Sequence, residues 1–304
     1  MAEIFYDQSK ASVLAGKTIV IAGASQGIGA ATLTLLNSLG ANTFFTDLSP
    51  PPSTIASLPS PAPVYIPGDV TSHKVLTTLF ETAFTKTGRI DAAIFCAAIS
   101  EPPALFSPET LTRESLLAED KVPEKLQRSL DINLTAALNF SRVALGYINS
   151  IPQDATLTPS LTLISSIAGI TPAPGLFTYA SAKHGIIGLT RSLAPYTPGA
   201  FHGTRVNAVC PWATDTQLLA GPVKTRWLAE KMPLNTPLCV AKQITQLVLD
   251  SSLNGRVVYV AGGRGFDTEA GVEATRPVWM GAENNTIWER GQEILGLGDG
   301  WTEK

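Results

Sequence analysis

Cysteine, histidine and charged side chains are all scarce in this sequence. It contains three cysteines and three histidines among 304 residues, and only 15% of its residues are charged. Cys96, Cys210 and Cys239 lack the spacing of a metal or redox motif, and the histidines form no ligand cluster, so we predict no metal. A net charge of −3 offers little attraction for a polyanion, and we expect no nucleic-acid partner.

Long hydrophobic runs are also missing. No apolar segment reaches the length of a transmembrane helix, so we expect no membrane association. The first ten residues lack the charged-then-apolar pattern of a signal peptide, which indicates a soluble, cytoplasmic protein. The hydrophobic content of 44% nevertheless supports a large core, and one α/β domain of this length is ordinary.

Short apolar runs alternate along the chain with longer segments of helical pattern. The predicted strands cover residues 17–22, 42–47, 64–66, 92–96, 161–165, 205–210 and 256–260. The predicted helices cover residues 27–39, 72–86, 124–149, 178–194 and 238–251. This alternation predicts an α/β, doubly wound (Rossmann) single domain with about seven parallel strands and a C-terminal extension.

The remaining segments determine the expected organisation. We divide the chain into an N-terminal arm (1–14), a dinucleotide-binding catalytic domain (15–265) and a C-terminal extension (266–304). The extension contains Trp279, Trp288 and Trp301, and we expect it to pack onto the body or a partner subunit. The proline-rich residues 49–63 are predicted to form a loop, partly polyproline, and residues 100–123 an insertion.

A glycine-rich turn, Gly-Ala-Ser-Gln-Gly-Ile-Gly at residues 23–29, joins the first predicted strand to a helix. Gly23 permits a tight turn, Gly27 lets the backbone approach a phosphate, and Gly29 lets the helix pack on the strand. The helix N-terminus then faces the anion. A plain strand–turn–helix connection is the alternative. The acid Asp47, at the end of the second strand, favours a dinucleotide site.

Asp47 also determines the expected cofactor. A carboxylate there can accept hydrogen bonds from the adenosine ribose hydroxyls and would repel a 2′-phosphate. The variable turn positions, Ala24, Ser25 and Gln26, bring no basic residue. We therefore predict NAD rather than NADP. The alternative role of Asp47 is to cap the turn before the prolines.

Tyr179 and Lys183 lie four residues apart, which places both side chains on one face of a helix. An ammonium close to a phenol favours the phenolate, so we expect the pKa of Tyr179 to be lowered. A tyrosine in that state can act as a general acid or base near neutral pH. The same spacing at Tyr6 and Lys10, ahead of any strand, is accidental, so the pair has meaning only beside other motifs.

Those other motifs occur in a recognisable order. The glycine turn and the acidic strand end are followed by Asn133, then by Ser166 thirteen residues before Tyr179, then by Lys183. This combination resembles the short-chain dehydrogenase/reductase family over roughly residues 15–265. The acid at the cofactor position and the long C-terminal segment are most similar to fungal natural-product members related to 15-hydroxyprostaglandin dehydrogenases.

The resemblance implies a role for each polar residue. Ser166 would hydrogen-bond the substrate oxygen, and Tyr179 would transfer the proton. Lys183 would hold the nicotinamide ribose, and Asn133 would hold a water that links Lys183 to solvent. Ser165 is the alternative to Ser166, although the spacing to Tyr179 favours Ser166. Either serine could instead cap the backbone at a strand end.

Position in the family pattern also implies the cofactor contacts. The predicted cofactor-binding residues are Gly23, Ser25, Gln26, Gly27, Ile28, Gly29, Asp47, Asp69, Val70, Ala97, Ala98, Tyr179, Lys183, Pro211, Thr214 and Thr216. The sequence departs from the family at residues 95–98, where Phe-Cys-Ala-Ala replaces Asn-Asn-Ala-Gly, and at Ala22, where threonine is usual. Both changes remove side-chain hydrogen bonds.

A homodimer or homotetramer is implied as well, paired through the helices that carry Asn133 and Tyr179. Pro195 and Pro198 are expected to end the second of these helices early.

Trp212 occupies the position after Pro211 where the family usually has glycine. Together with Phe177 and Leu218 it is predicted to edge a pocket for a bulky, mostly apolar substrate. Packing of the indole under the loop is the alternative.

We therefore expect an NAD-dependent oxidoreductase that interconverts a secondary alcohol and a ketone, in a natural-product pathway. A family-derived dinucleotide-binding protein that acts as a cyclase, an isomerase or a redox-sensing partner is the alternative.

Overall fold

The computed structural model describes residues 3–150 and 157–295. Nine strands within these residues form one sheet, in the order β1-β9-β8-β7-β6-β5-β2-β3-β4. The strands are β1 (Glu3–Ile4), β2 (Thr18–Ala22), β3 (Asn42–Asp47), β4 (Val64–Pro67), β5 (Ala92–Phe95), β6 (Ser160–Ile164), β7 (Arg205–Pro211), β8 (Val257–Ala261) and β9 (Arg264–Asp267). Strands β2 to β8 pair in parallel, and β9 and β1 are added antiparallel at one edge. The expected α/β doubly wound fold is confirmed.

Helices connect the parallel strands and continue past the last of them. They are α1 (Gly27–Ser38), α2 (Ser53–Ala56), α3 (His73–Thr87), α4 (Arg113–Leu117), α5 (Glu124–Leu130), α6 (Ala136–Asn149), α7 (Phe177–Ala200), α8 (Gly221–Ala229), α9 (Pro237–Leu249), α10 (Glu269–Met280) and α11 (Ala282–Leu295). Short 3-10 helices lie at Gln8–Leu14 and Ile167–Gly169, and a π-helical turn at Asp131–Thr135 joins α5 to α6. Within the described residues, no helix is long and apolar enough to cross a membrane.

Two large hydrophobic cores cover the two faces of the sheet, and a third, small cluster lies beside β7. Successive residues of β2 alternate between the two large cores: Ile19 and Ile21 face the core under α1 and α9, and Val20 and Ala22 face the core under α3 and α6. A strand that is buried on both faces is apolar throughout, which explains the continuous hydrophobic runs of the sequence.

The strand order changes direction between β2 and β5. From β2 the chain proceeds through β3 to β4 on one side, and from β5 through β6 to β7 on the other. The loops that leave β2 and β5 therefore diverge and open a crevice at the carboxyl ends of the strands. Ligands of doubly wound proteins bind at such a switch point.

Helix α7 continues to Ala200, so the expectation that Pro195 and Pro198 end it early is wrong. A proline leaves the carbonyl one turn before it without a helical donor. The carbonyl that Pro198 leaves is that of Ala194, and it accepts a hydrogen bond from Nδ2 of Asn254 at 2.7 Å. An external donor therefore replaces the missing amide.

The segments without predicted structure contain short or peripheral helices. Helix α2 lies in the proline-rich segment, α4 in the insertion, and α10 and α11 after the sheet. Glu269 at the start of α10 forms two hydrogen bonds to the Arg191 side chain of α7, at 2.8 and 2.9 Å. Trp279 and Trp288 are 64% and 40% exposed, and Trp301 lies outside the described residues.

Candidate active site

A cleft of about 870 Å³ opens at the switch point between β2 and β5. Most of the residues predicted from the sequence to bind cofactor or substrate line it. These are Gly23, Gln26, Gly27, Ile28, Gly29, Asp47, Asp69, Val70, Ala97, Ala98, Ser166, Tyr179, Lys183, Pro211, Trp212, Thr214, Thr216 and Leu218. Three others, Ser25, Asn133 and Phe177, lie outside this lining.

The glycine turn between β2 and α1 is tightly packed. A Cβ at Gly23, whose φ is +81°, would lie 2.6 Å from the backbone of Ala97, and one at Gly29 would lie 1.9 Å from the carbonyl oxygen of Gly23. Gln26 is the N-cap of α1, and its side chain makes no capping hydrogen bond. The first amides of α1 therefore face the cleft without a side-chain cap, which fits an anionic pyrophosphate.

Asp47, at the end of β3, is hydrogen-bonded to the glycine turn. Its carboxylate accepts hydrogen bonds from the amide of Ser25 at 2.9 Å and from the amide of Ser49 at 3.2 Å, and it also lines the cleft. The turn-capping role and the cleft-facing position thus occur together. Ser25 itself is buried, and its hydroxyl donates to the carbonyl of Ser49 at 2.7 Å.

Asp69 follows β4 and is held from two sides. It accepts hydrogen bonds from the amide and hydroxyl of Thr71 and from the guanidinium of Arg128, at 2.8 to 3.1 Å. Burial raises the pKa of this carboxyl, but the hydrogen bonds from Thr71 and Arg128 outweigh it, and the pKa is lowered. Asp69 is therefore charged at neutral pH beside Val70.

Helix α7 carries Tyr179 and Lys183 on one face, next to the end of β6. Nζ of Lys183 donates to the carbonyl of Ile164 at 2.9 Å and lies 5.5 Å from the centroid of the Tyr179 ring. Only 1% of Lys183 is exposed. Burial lowers the pKa of Lys183 to about 8, because an ammonium loses its hydration there.

The pKa of Tyr179 is raised in the structure, so the expectation that it is lowered is wrong. Burial raises the pKa of the phenol, and the hydrogen bond with Ser166 opposes this without overcoming it. The phenolate is disfavoured because it would be desolvated, and the Lys183 ammonium, which lies over the ring at 5.5 Å from its centroid, does not reverse this shift.

The two candidate serines have different partners. The hydroxyl of Ser165 donates to the carbonyl of Lys183 at 2.7 Å, so it is used inside the fold. The hydroxyl of Ser166 accepts from the amide of Ala168 at 3.2 Å and forms the hydrogen bond with Tyr179. The geometry therefore favours Ser166 as the residue that reaches a substrate oxygen.

Asn133 lies fully buried in the π-turn between α5 and α6. Its Oδ1 accepts from the amide of Ile99 at 3.0 Å, and its Nδ2 donates to the carbonyl of Ile99 at 3.1 Å and to the hydroxyl of Ser129 at 3.4 Å. Both ends of the side chain are used to fix the loop after β5. The role of Asn133 in holding a water beside Lys183 stays a prediction.

The loop after β7 forms the other wall of the cleft. Trp212 is half-buried, and its ring meets the ring of Trp227 from α8 edge-on at 5.3 Å. Thr214 donates to the carbonyl of Trp212 at 2.8 Å. The side chain of Thr216 lies next to Gly27 of the glycine turn, 3.3 Å from the position that a Cβ would take there. Trp212 thus lines the cleft rather than lying under the loop.

Phe177 is directed away from the cleft. It is the first residue of α7, is 46% exposed, and packs against Phe106 of the insertion with centroids 4.6 Å apart and the rings tilted by 45°. The helix turns Phe177 outward because Tyr179, two residues later, points inward.

The model of the family described as short chain dehydrogenase matches residues 17–226. The chain belongs to this family. It is 31% identical over 272 residues to the short-chain dehydrogenase/reductase ascJ of Acremonium egyptiacum, covering 90% of this chain and 87% of the relative. It is 27% identical over 295 residues to the 5'-hydroxyaverantin dehydrogenase of Dothistroma septosporum, covering 92% and 94%.

A solved structure is similar as well. The ligand-free aldohexose dehydrogenase of Thermoplasma acidophilum superposes with a TM-score of 0.66 at 25% identity, and the match covers 83% of this chain and 95% of that one. This short-chain dehydrogenase is therefore an oxidoreductase that acts on CH–OH groups and resembles fungal members of the family. The family fold implies a nicotinamide dinucleotide cofactor.

Sequence reasoning missed several residues of this short-chain dehydrogenase site. Glu101 and Trp227 line the cleft, and Ser129 and Thr178 form a buried hydrogen bond of 2.9 Å beneath it. Trp227 could have been found as an aromatic residue shortly after the loop that carries Trp212. Glu101 carries no local signal, because its partners lie 77 and 78 residues away.

Proposed function

We propose that this protein is an NAD-dependent dehydrogenase that interconverts a secondary alcohol and a ketone on a bulky, mostly apolar small molecule. The observation that carries the proposal is the meeting of Ser166 and Tyr179 beside the buried Lys183, in the same cleft as the glycine turn. These are the groups that an alcohol oxidation needs, namely a proton acceptor, a hydroxyl to orient the substrate oxygen and a cation to favour the phenolate.

A bound nicotinamide dinucleotide supplies the hydride acceptor, and the side chains of this chain move the proton. Ser166 donates a hydrogen bond to the substrate oxygen, and Tyr179 takes the hydroxyl proton as hydride leaves the carbon. The Lys183 ammonium, 5.5 Å from the ring centroid, would favour the phenolate form of Tyr179 against burial, which keeps the pKa of the phenol raised. In the reverse direction, the same phenol donates the proton to the developing alkoxide.

The choice of NAD rests on Asp47. Its carboxylate lies at the end of β3 beside the uncapped start of α1, where an adenosine ribose would lie in a doubly wound protein. A 2′-phosphate would meet this negative charge. Among the described residues that line the cleft, Lys183 is the only lysine or arginine, and it lies beside Tyr179 rather than beside Asp47.

The substrate is proposed to be uncharged. Its side of the cleft is formed by apolar residues, including Ile167, Leu218, Leu219 and the aromatic wall of Trp212 and Trp227. The acidic residues of the described lining are Asp47, Asp69 and Glu101, against one lysine. Because Lys183 is held by the carbonyl of Ile164 beside Tyr179, an anionic substrate or carrier would find no free cation in the described lining.

The biological setting is proposed from the relatives. Similarity to the 5'-hydroxyaverantin dehydrogenase of Dothistroma septosporum supports a dehydrogenase of a natural-product pathway that works in the oxidative direction. We place the protein in the cytoplasm. We also propose a homodimer or homotetramer that pairs through α6 and α7, where Leu138, 45% exposed, and Leu189 line an open groove.

Turnover of NAD with a panel of cyclic and aromatic secondary alcohols tests the function. The proposal predicts steady formation of NADH with at least one such alcohol. Calorimetric binding of NAD without turnover of any alcohol or ketone would favour the alternative, a dinucleotide-binding protein with cyclase, isomerase or redox-sensing work. Light scattering of the purified protein tests the oligomeric state.

A further inference from the structure

The helix that carries Tyr179 begins without a cap of its own. Its N-cap, Leu176, has no side-chain oxygen, and Phe177, Thr178 and Tyr179 form the first helical positions. The amides of a first helical turn have no partner inside the helix, and they carry the positive end of the helix dipole. A partner from elsewhere in the fold must satisfy them.

Glu101 is that partner. One carboxylate oxygen, Oε1, accepts from the amide of Thr178 at 3.2 Å, and the other, Oε2, accepts from the amide of Tyr179 at 2.8 Å. Oε2 also accepts from the hydroxyl of Thr178 at 2.8 Å. Both oxygens of the carboxylate are thus used by the first turn of α7.

The other end of this contact is fixed by buried polar residues. Glu101 lies two residues after Ile99, whose amide and carbonyl are both held by Asn133. Asn133 also donates to Ser129, and Ser129 shares a hydrogen bond with Thr178. These hydrogen bonds attach the loop that carries Glu101 both to the π-turn and to α7. Asn133 and Ser129 are fully buried, so the bonds are shielded from water.

We infer that Glu101 is a positioning residue, which fixes the first turn of α7 and so places the phenol of Tyr179 against Ser166. Glu101 contacts the backbone of Tyr179 rather than its hydroxyl, so it acts on the reaction through Tyr179. The inference rests on the proposed function, because the position of the phenol matters only if that phenol transfers the proton.

The expected effect is on turnover rather than on cofactor binding. Tyr179 is the third residue of α7, so a first turn that frays displaces the phenol directly. A displacement of about 1 Å can lower a rate by about 100-fold when reacting groups must be aligned. Among the residues predicted to hold the dinucleotide, Tyr179 makes this contact through its backbone amide, whereas the described hydrogen bonds of Glu101 include none to the glycine turn or to Asp47.

Three variants test the inference. Glu101→Ala removes all three hydrogen bonds. Glu101→Gln keeps the shape and one acceptor oxygen, but presents an NH₂ group to a backbone N–H. Glu109→Gln is the matched control, because Glu109 lies in the same insertion, is exposed, and has local hydrogen bonds to Ser107 and to its own backbone.

Each variant is measured for kcat with the best alcohol, for NAD affinity by calorimetry, and for amide hydrogen exchange of residues 176–180. Glu101→Ala should lower kcat by about 10- to 100-fold and accelerate exchange, with NAD affinity within about twofold of the parent. For Glu101→Gln, kcat and the exchange rate should lie between those of Glu101→Ala and those of the parent. For Glu109→Gln, both should match the parent. Circular dichroism confirms that each variant is folded.

A kcat within about twofold of the parent in Glu101→Ala would overturn the positioning role, even if exchange became faster, since Glu101 would then only cap the helix. Unchanged exchange would overturn the capping contact itself. Failure of the unmodified protein to oxidise any alcohol would instead contradict the proposed function, and the exchange measurement would still decide whether Glu101 anchors α7.

Discussion

Lys183 lies with its Nζ 5.5 Å from the centroid of the Tyr179 ring while it donates to the carbonyl of Ile164 at 2.9 Å. The lysine is thus held by the end of β6, and the phenol by α7. Burial lowers the pKa of Lys183 to about 8 and raises that of Tyr179, so both shifts reduce charge in the buried pair.

Alcohol oxidation is therefore expected to speed up as the pH rises above 7. The base form of Tyr179 must be present to accept a proton, and burial has moved its pKa upward, so its population increases through the alkaline range. Ketone reduction needs the protonated phenol and should slow over the same range. A kcat/KM for oxidation that falls between neutral and mildly alkaline pH would contradict this assignment.

Ser166→Ala should move the alkaline limb of the oxidation profile to higher pH. The hydrogen bond with Ser166 lowers the pKa of Tyr179, so its loss raises that pKa further and removes phenolate at any given pH. The matched control is Ser181→Ala, because Ser181 is exposed on α7 and bonds only the carbonyl of Phe177 in its own helix. A limb that stays in place in Ser166→Ala would show that this hydroxyl does not act on the phenol.

Asp47→Ala should weaken NAD binding and narrow the preference for NAD over NADP. The carboxylate is lost as an acceptor for the ribose hydroxyls, and its repulsion of a 2′-phosphate disappears. Since Asp47 also accepts from Ser25 and Ser49, Asp47→Asn serves as the second variant, because it retains an oxygen for one of those amides. Preference for NADP in the unmodified protein, measured as kcat/KM for each dinucleotide, would refute the cofactor proposal.

Most of the fold follows from features that the sequence displays locally. The parallel strands carry short runs of mostly apolar residues, which are longest where both faces of the strand are buried, and these runs predict β2 to β8 within a residue or so. Strands β1 and β9 were not predicted. The first is only two residues long, and the second, Arg-Gly-Phe-Asp, has one large apolar side chain, so pairing across the chain rather than local pattern creates them.

In the candidate site too, some residues can be predicted from local sequence patterns and others depend on tertiary contacts. The Tyr179–Lys183 spacing, the glycine turn and Asp47 are local patterns, and the structure brings them to one cleft. The contact of Glu101 with α7 depends on tertiary placement, which no spacing reveals. The outward direction of Phe177 depends on the rotation of α7 about its axis, and the sequence did not determine that rotation.

Trp212→Gly should alter substrate choice while NAD affinity stays near that of the parent. The indole lines the cleft and meets Trp227 edge-on, so its removal takes away apolar contact and opens space. We expect kcat/KM for the preferred apolar substrate to fall by about 10- to 200-fold, and larger alcohols to gain relative to it. Trp279→Ala, which removes an exposed indole on α10, should change neither the substrate preference nor the NAD affinity. A lower melting temperature with an unchanged ranking of substrates would show that Trp212 only supports the loop.

Uncharged alcohols should be preferred over anionic ones of similar shape. Asp47, Asp69 and Glu101 line the cleft, and Lys183 is buried and donates to the carbonyl of Ile164 at the end of β6. A matched pair, such as a cyclic secondary alcohol and its carboxylate derivative, isolates the charge. We expect a markedly higher kcat/KM for the neutral member, and the difference should shrink as salt screens the acids. Equal rates, or faster oxidation of the carboxylate or of a hydroxyacyl-CoA, would exclude this selectivity.

The most direct test of the account is the steady-state formation of NADH from NAD and the best secondary alcohol by the parent and by Tyr179→Phe. Phenylalanine keeps the ring that packs beside Lys183 and removes only the proton carrier. We expect kcat to fall by about 10²- to 10⁴-fold, while NAD affinity, measured by calorimetry, stays near the parent value. Turnover by Tyr179→Phe within about twofold of the parent would contradict the account, because some other group would then be transferring the proton.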